Sequence, residues 1–276
     1  MIVDAHHHLW DPARAEYPWM TGALAPLRRR FGAEDLEPLL RERGVDGTVV
    51  VQARASLDET RELVAAAERV PWLLGVVGWV DLTGPDVDRQ LDGLAGARHQ
   101  VHDEDDPDWL LRPDVQRGVA AVGRAGIAYD LLVRTRELPA ALDVARRWPE
   151  TRFVVDHLAK PPLRSGDTGL WAQRLAAVAR QPNVSCKLSG LVTEADWESW
   201  RADRLVPYLR RALEWFGPER CLFGSDWPVC LLAAAYAAVL DLVLAALDDC
   251  DSAERAAVLG GNAVRVYGLL GMSRPV

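Results

Sequence analysis

The sequence has few cysteines, fewer basic than acidic residues and no apolar run long enough to span a membrane. Its four cysteines, Cys186, Cys221, Cys230 and Cys250, show no C-x-x-C spacing. Neither a disulfide framework nor a zinc ribbon is indicated, and reduced cysteines serving as small apolar residues suit a cytoplasmic protein. The net charge of −8 argues against nucleic acid and anionic membrane as partners, since both demand a basic patch. The opening Met1-Ile2-Val3-Asp4 lacks the basic and apolar regions of a signal peptide. The most apolar late stretch, 229–247, contains Asp241 and reads as a buried or amphipathic helix rather than a membrane span. No glycine-rich dinucleotide loop follows any apolar run, which disfavours an open doubly wound sheet. A small molecule is left as the expected partner, and a homo-oligomer stays compatible with the composition.

What is present is strand-helix alternation. Short apolar runs recur at 2–6, 47–52, 73–80, 97–101, 127–133, 152–157, 183–189 and 220–226, several of them rich in Val. Near-continuous apolar strands of this kind suit a parallel sheet buried on both faces. The segments between them carry helix chemistry. Ser56-Leu57-Asp58-Glu59 forms a capping box opening a helix to Val70, and Pro139 sits in the first turn of 138–147. Helices are also expected over 35–43, 113–125, 170–180, 197–216, 231–247 and 253–267, with Gly44, Gly126, Gly217 and Gly268 placed to close four of them. Eight repeats of this pattern predict an α/β fold, a (β/α)8 TIM barrel, as a single domain over 1–276. The segment 11–32 is too long for an ordinary βα loop. With Tyr17, Trp19 and Phe31, and Trp10 just before it, it is expected to fold over the barrel mouth as a lid.

In such a barrel the carboxyl ends of the strands face the active site. His6 and His8 are two apart, so a strand puts both on one face and His7 on the other. His157 follows Asp156 at the end of the sixth run, and Asp226 ends the eighth in Gly224-Ser225-Asp226-Trp227-Pro228. His6, His8, His157 and Asp226 converge if the barrel closes, and imidazole with carboxylate suits zinc or a similar divalent ion. Lys187 lies in an apolar run, where a charge needs a partner such as Asp130 or Asp226, or a substrate. Arg98 and His99 point to opposite sides of a regular strand, and Arg98 is expected to face inward. Trp10, Trp79 and Trp227, at strand ends, are candidate platforms for a sugar ring. The acidic run His102-Asp103-Glu104-Asp105-Asp106 reads as solvated surface, with the barrel mouth as its other expected place.

Asp4-x-His6-x-His8-x-Trp10, Arg98-His99, Asp156-His157 with Lys160-Pro161, Lys187-Leu188-Ser189-Gly190 and Gly224-Ser225-Asp226-Trp227-Pro228 together resemble the lactonase branch of the amidohydrolase superfamily. The resemblance runs the length of the chain in the same order. It implies hydrolysis of a sugar lactone to the sugar acid, an ester hydrolase activity. Asp226 would take the proton of water, and His157 would be the second catalytic group. Arg98, Lys187, Asp130, Trp10, Trp79 and Trp227 are the expected substrate-binding residues. A related decarboxylase or hydratase branch, and hydrolases of dicarboxylate lactones, are the alternatives. The superfamily's dinuclear members carry a carboxylated Lys, or sometimes Glu, on strand four and a His on strand five. This sequence has Arg98-His99-Gln100 and Asp130 there. The resemblance therefore implies one divalent ion, such as zinc, on His6, His8, His157 and Asp226, or a metal-independent site.

Overall fold

In the computed structural model, which describes residues 1–269, eight parallel strands stand in sequential order. They are β1 (Val3–His7), β2 (Gly47–Val51), β3 (Leu73–Gly78), β4 (Gly96–His99), β5 (Ala128–Leu131), β6 (Arg152–Val155), β7 (Val184–Leu188) and β8 (Cys221–Phe223). Neighbours from β1 to β8 are paired in parallel. Closure occurs beyond the last strand, where His7 bridges to Trp227. Two backbone bonds seal this seam: Asp226 N–H donates to His6 O at 2.8 Å and His8 N–H donates to Trp227 O at 2.7 Å. Each predicted apolar run overlaps a strand of the barrel, with β1 ending one residue later than its run and β4 beginning one residue earlier. The eighth is shorter than expected because residues 224–226 leave the sheet to make this seam.

Helices fill the crossovers, with several boundaries different from those expected. The helix predicted from 197 begins at Ala202, preceded by a separate turn at Leu191–Glu194. The one predicted from 231 begins at Tyr236, because Val229–Leu232 is a tight 3-10 turn. A single helical turn, Val87–Gln90, between β3 and β4 was not anticipated. The last helix is interrupted by a wide π turn at Ala257–Gly261. A Cβ on Gly260 would lie 2.5 Å from Met1 O, so only glycine lets this turn pass the start of β1.

Side chains alternate across the strands. Phe153, Val155, Val184, Cys186, Leu188, Cys221 and Phe223 join the large apolar layer between sheet and helices. Val49, Val51, Val77, Ala128, Val154 and Leu222 form a smaller cluster inside the barrel, closed by Val266 and Tyr267 of the last helix. Further up the same strands the inward positions become polar: Asp130, Asp156, Lys187 and Asp226. The barrel interior thus changes from apolar plug to charged site within about two residues per strand, some 7 Å.

The capping box at Ser56 is only half formed. Ser56 Oγ accepts from Glu59 N–H at 3.3 Å. The Glu59 carboxylate turns away instead, accepting from the N–H groups of Ala53 and Arg54 at 2.9 and 3.0 Å, just past β2. Burial pushes the Glu59 carboxyl up to about 7 from 4.5, against the opposing pull of those N–H groups and Arg54. The folded state therefore holds a proton that the unfolded chain releases. Stability from this group is fully present below pH 4.5 and is lost as pH rises through about 7. Thermal unfolding of Glu59→Gln across that window is expected to fall less steeply with pH than that of the unmodified protein. Parallel curves would count against it.

Candidate active site

β1 and the residue that follows it carry the first two imidazoles, His6 and His8. A register shift between Asp4 and His7 breaks the strand's alternation. Asp4 faces the helical layer, where its carboxylate accepts from Tyr236 OH at 3.1 Å and from Ser225 N–H at 2.9 Å. His7 contacts Thr48 Oγ1 at 2.8 Å. His6 and His8 turn inward, their Nε2 atoms 3.2 Å apart.

Two left-handed turns bring in the other groups. Asp226 has φ 57°, and His157, Leu158, Ala159 and Lys160 have φ of 52°, 53°, 54° and 48°. Non-glycine residues adopt this region at a cost of about 1–2 kcal/mol each, so the surrounding contacts must hold both turns in place. The turns present His157 and Asp226 to the same point. Asp226 Oδ1 lies 3.5 Å from His8 Nε2 and 3.8 Å from the Nε2 atoms of both His6 and His157. The outer ring nitrogens are engaged elsewhere. His8 Nδ1 contacts Val51 O at 2.7 Å and His157 Nδ1 contacts Ser189 Oγ at 2.8 Å.

This donor set fits a single divalent ion. His6, His157 and Asp226 offer ligand atoms all within 4.8 Å of one another, and all three residues are buried. Zinc bonds of about 2.0–2.1 Å in a tetrahedron set neighbouring ligand atoms about 3.4 Å apart, close to the 3.5 Å from Asp226 to His8. Burial drives the His157 imidazole down to about 4 and holds His6 well below its usual range, aided there by the Lys187 charge. Both are neutral at neutral pH and free to ligate. Burial alone would raise Asp226, but His157, His8 and Lys160 outweigh it and keep the group below the usual carboxylate range, in its anionic form.

Beneath this cluster lies a closed charge network. Lys187 Nζ is fully buried and pairs with Asp156 Oδ1 at 2.9 Å and with Asp130 Oδ2. It also contacts His6 Nδ1 at 3.1 Å. Arg98 Nη1 donates to Asp156 Oδ2 at 2.8 Å and stands 3.3 Å from His6 Nε2. Tyr267 OH reaches up from the last helix to Asp130 at 2.9 Å. Asp130 is raised by burial to about 6 despite Lys187, whereas Asp156, flanked by Lys187, His6 and Arg98, is held well below the usual range against the same burial.

Above the cluster opens a cavity of about 720 Å³. His8, His157, Asp226 and Arg98 form its floor, and Trp19, Trp197, Leu24, Leu132, Arg134 and Lys160 are among its walls. Of the residues proposed from sequence to bind substrate, Arg98 alone lines this cavity. Lys187 and Asp130 lie below it. Trp10 N–H donates to the carbonyls of Leu27 and Arg29, both at 3.1 Å. Trp227 is buried edge-on to Phe31. Trp79 N–H donates to His99 Nδ1 at 3.0 Å, which leaves His99 Nε2–H to donate to Glu104 at 2.6 Å. Arg98 thus faces in and His99 faces aside, stacked on Trp109. Of the acidic run, His102 and Asp103 reach the cavity wall, while Asp105 and Asp106 are exposed.

Asp156, Ser189 and Trp19 appear in the sequence motifs or the expected lid without a role at the site, and Tyr267 and Trp197 were not singled out at all. One signal was available for part of the site. The chain has only two lysines among its 32 Lys and Arg residues, and both, Lys160 and Lys187, are at the site. Every other basic side chain is an arginine, so the lysine count alone points to these two positions.

Two inward histidines at the end of the first strand, a histidine after the sixth and an aspartate after the eighth thus meet at the carboxyl ends of the barrel strands, the end at which TIM-barrel enzymes carry their active sites. The amidohydrolase family model matches residues 3–269, and the chain belongs to that family. An L-fucono-1,5-lactonase of Burkholderia ambifaria is 40% identical over 96% of this chain and 94% of its own length. A second L-fucono-1,5-lactonase, of Burkholderia multivorans, is 40% identical over 97% of this chain and 96% of its own. The crystal structure of an amidohydrolase from Burkholderia multivorans with bound zinc superposes with a TM-score of 0.94 at 39% identity, covering 98% of this chain and 99% of that one. Among the described residues no helix is long and apolar enough to cross a membrane.

Proposed function

We propose that this protein opens the ring of a small sugar lactone to the sugar acid, with Asp226 as general base. The observation that carries the reading is the Asp226 carboxylate ringed by three imidazoles on the floor of a cavity whose walls mix aromatic and polar groups. A lactone is an ester, so hydrolysis needs a proton acceptor for water and positive charge or donors for the oxyanion. Water attacks the carbonyl carbon as Asp226 takes its proton. The oxyanion so formed faces Arg98 and His157. Collapse breaks the ring C–O bond, and the proton held on Asp226 passes to the departing alkoxide. A divalent ion on His6, His8, His157 and Asp226 would supply Lewis-acid polarisation of the carbonyl.

Arg98 is held for this task from below, since Asp156 and Gln52 O fix its guanidinium. Lys187 and Asp130 act by holding His6 and Asp156, one layer away from substrate. Trp19 and Trp197 in the cavity wall supply indole surface for a sugar ring, the Trp197 ring also carrying the Arg164 guanidinium 5.0 Å from its centroid. Segment 11–32 supplies Trp19 and Leu24 to the cavity, and Trp19 N–H donates to Ala53 O at 2.8 Å, which fastens the segment across the mouth as a lid. Four free cysteines suit a cytoplasmic setting.

The test is a panel of aldonolactones with a pH indicator, before and after chelator treatment. Hydrolysis of at least one aldonolactone is expected, with acid release matching ring opening. Inertness toward all of them, with carbon dioxide released from an aromatic acid instead, would move the protein to the decarboxylase branch.

A further inference from the structure

The turn at residues 157–160 is four consecutive non-glycine residues in the left-handed region, and the chain does not favour this on its own. Three residues outside the cavity impose it. Trp171 N–H donates to Leu158 O at 2.7 Å from the neighbouring helix. Ser189 Oγ meets His157 Nδ1 at 2.8 Å. Gly190 sits at φ 68°, and a Cβ built there would lie 2.6 Å from the His157 ring. The ring therefore lies in a slot whose floor is the bare backbone of Gly190 and whose wall is the Ser189 hydroxyl.

We propose that Ser189, Gly190 and Trp171 are positioning residues that mould the left-handed turn and fix the His157 imidazole against Asp226. The inference rests on the lactonase reading only for its effect on rate. A ring rotated about its Cβ would carry Nε2 away from Asp226 Oδ1, now 3.8 Å distant. Lys160 and Glu194 tie the same two loops at 2.9 Å, but both line the cavity and their substitution would mix positioning with substrate contact. Ser189 and Trp171 do not.

The experiment compares Ser189→Ala, Ser189→Cys and Trp171→Phe with the unmodified protein, by crystal structure and by kinetics. In Ser189→Ala the imidazole is expected to turn so that Nε2 moves by more than about 0.5 Å, the tolerance of a working site. The same variant is expected to lose about 10–100-fold in kcat, as removal of an outer partner of a site histidine does, with KM little changed. Ser189→Cys keeps the size but offers a weaker partner and is expected to fall between. Trp171→Phe keeps the packing and loses the N–H, and should relax the φ values at 158–159. An unmoved ring in Ser189→Ala together with an unmoved turn in Trp171→Phe overturns the inference. If no lactone is turned over by the unmodified protein, the functional reading fails, while the crystallographic comparison still decides this one.

Discussion

Replacing Asp226 with Asn is expected to lower kcat on the lactone substrate by about 10²–10⁴-fold, the usual worth of a positioned general base, with unfolding temperature nearly unchanged. The substitution keeps size and shape. Its backbone demands are met as well, because Asn tolerates the left-handed region that the φ of 57° requires. The Asp226 N–H that closes the barrel onto His6 O is untouched. What disappears is the charge. An amide cannot take a proton from water, and it presents donors toward His6 and His157, whose imidazoles burial keeps neutral. Steady-state kinetics on any lactone from the panel checks this, with a melting curve as the control for folding. A variant that retains full activity would remove Asp226 as base and shift attention to His157.

The fold was legible because its signals are local and repeated. Eight apolar runs, several of them rich in Val, spaced by helix-forming segments specify a buried parallel sheet, and each run overlaps a strand of the barrel. Boundaries were less legible where tertiary contacts override local preference. The eighth run reads as one strand to Asp226, yet it breaks after Phe223 because the seam to β1 needs backbone from 224–227. Glu59 is three residues from Ser56 and reads as a reciprocal cap, but two unpaired N–H groups past β2 compete for the same carboxylate and win. At the site, His6, His8, His157 and Asp226 could be singled out because each ends a strand. Lys187 and Asp130 could be singled out as charges in apolar runs, but not their depth. Their distance from the cavity depends on where the helix bearing Tyr267 ends inside the barrel, a contact 137 residues from Asp130. The tryptophans illustrate the same limit. Their positions at strand ends are readable, whereas the side to which each indole turns is set by partners such as Leu27 O, His99 and Phe31.

Lys187→Met is expected to be the most destabilising single change in the barrel. The Lys187 side chain is fully buried, and its ammonium lies between Asp130 and Asp156, themselves fully buried. Methionine fills nearly the same space, so the loss is electrostatic rather than a cavity. Asp156 keeps Arg98 at 2.8 Å, but among the described residues Asp130 is left with the Tyr267 OH as its remaining side-chain partner. Removing one partner of a buried ion pair costs about 3–5 kcal/mol because a charge remains uncompensated. For a chain of this length that is a fall in melting temperature on the order of 10 °C. The sign of the pH dependence distinguishes this from a packing defect. Asp130 is already raised to about 6 by burial, and without Lys187 it rises further. A carboxyl whose folded pKa exceeds its unfolded value favours folding when protonated, and that support is lost as pH rises through the folded value. The deficit of Lys187→Met is therefore expected to be small well below pH 6 and to grow toward alkaline pH, where a cavity would give a constant offset. The double variant Lys187→Met with Asp130→Asn should recover much of the loss, since Asn carries no charge and can still accept from Tyr267. Melting curves of the three proteins across pH measure all of this at once, and a double variant no more stable than Lys187→Met would refute the charge argument.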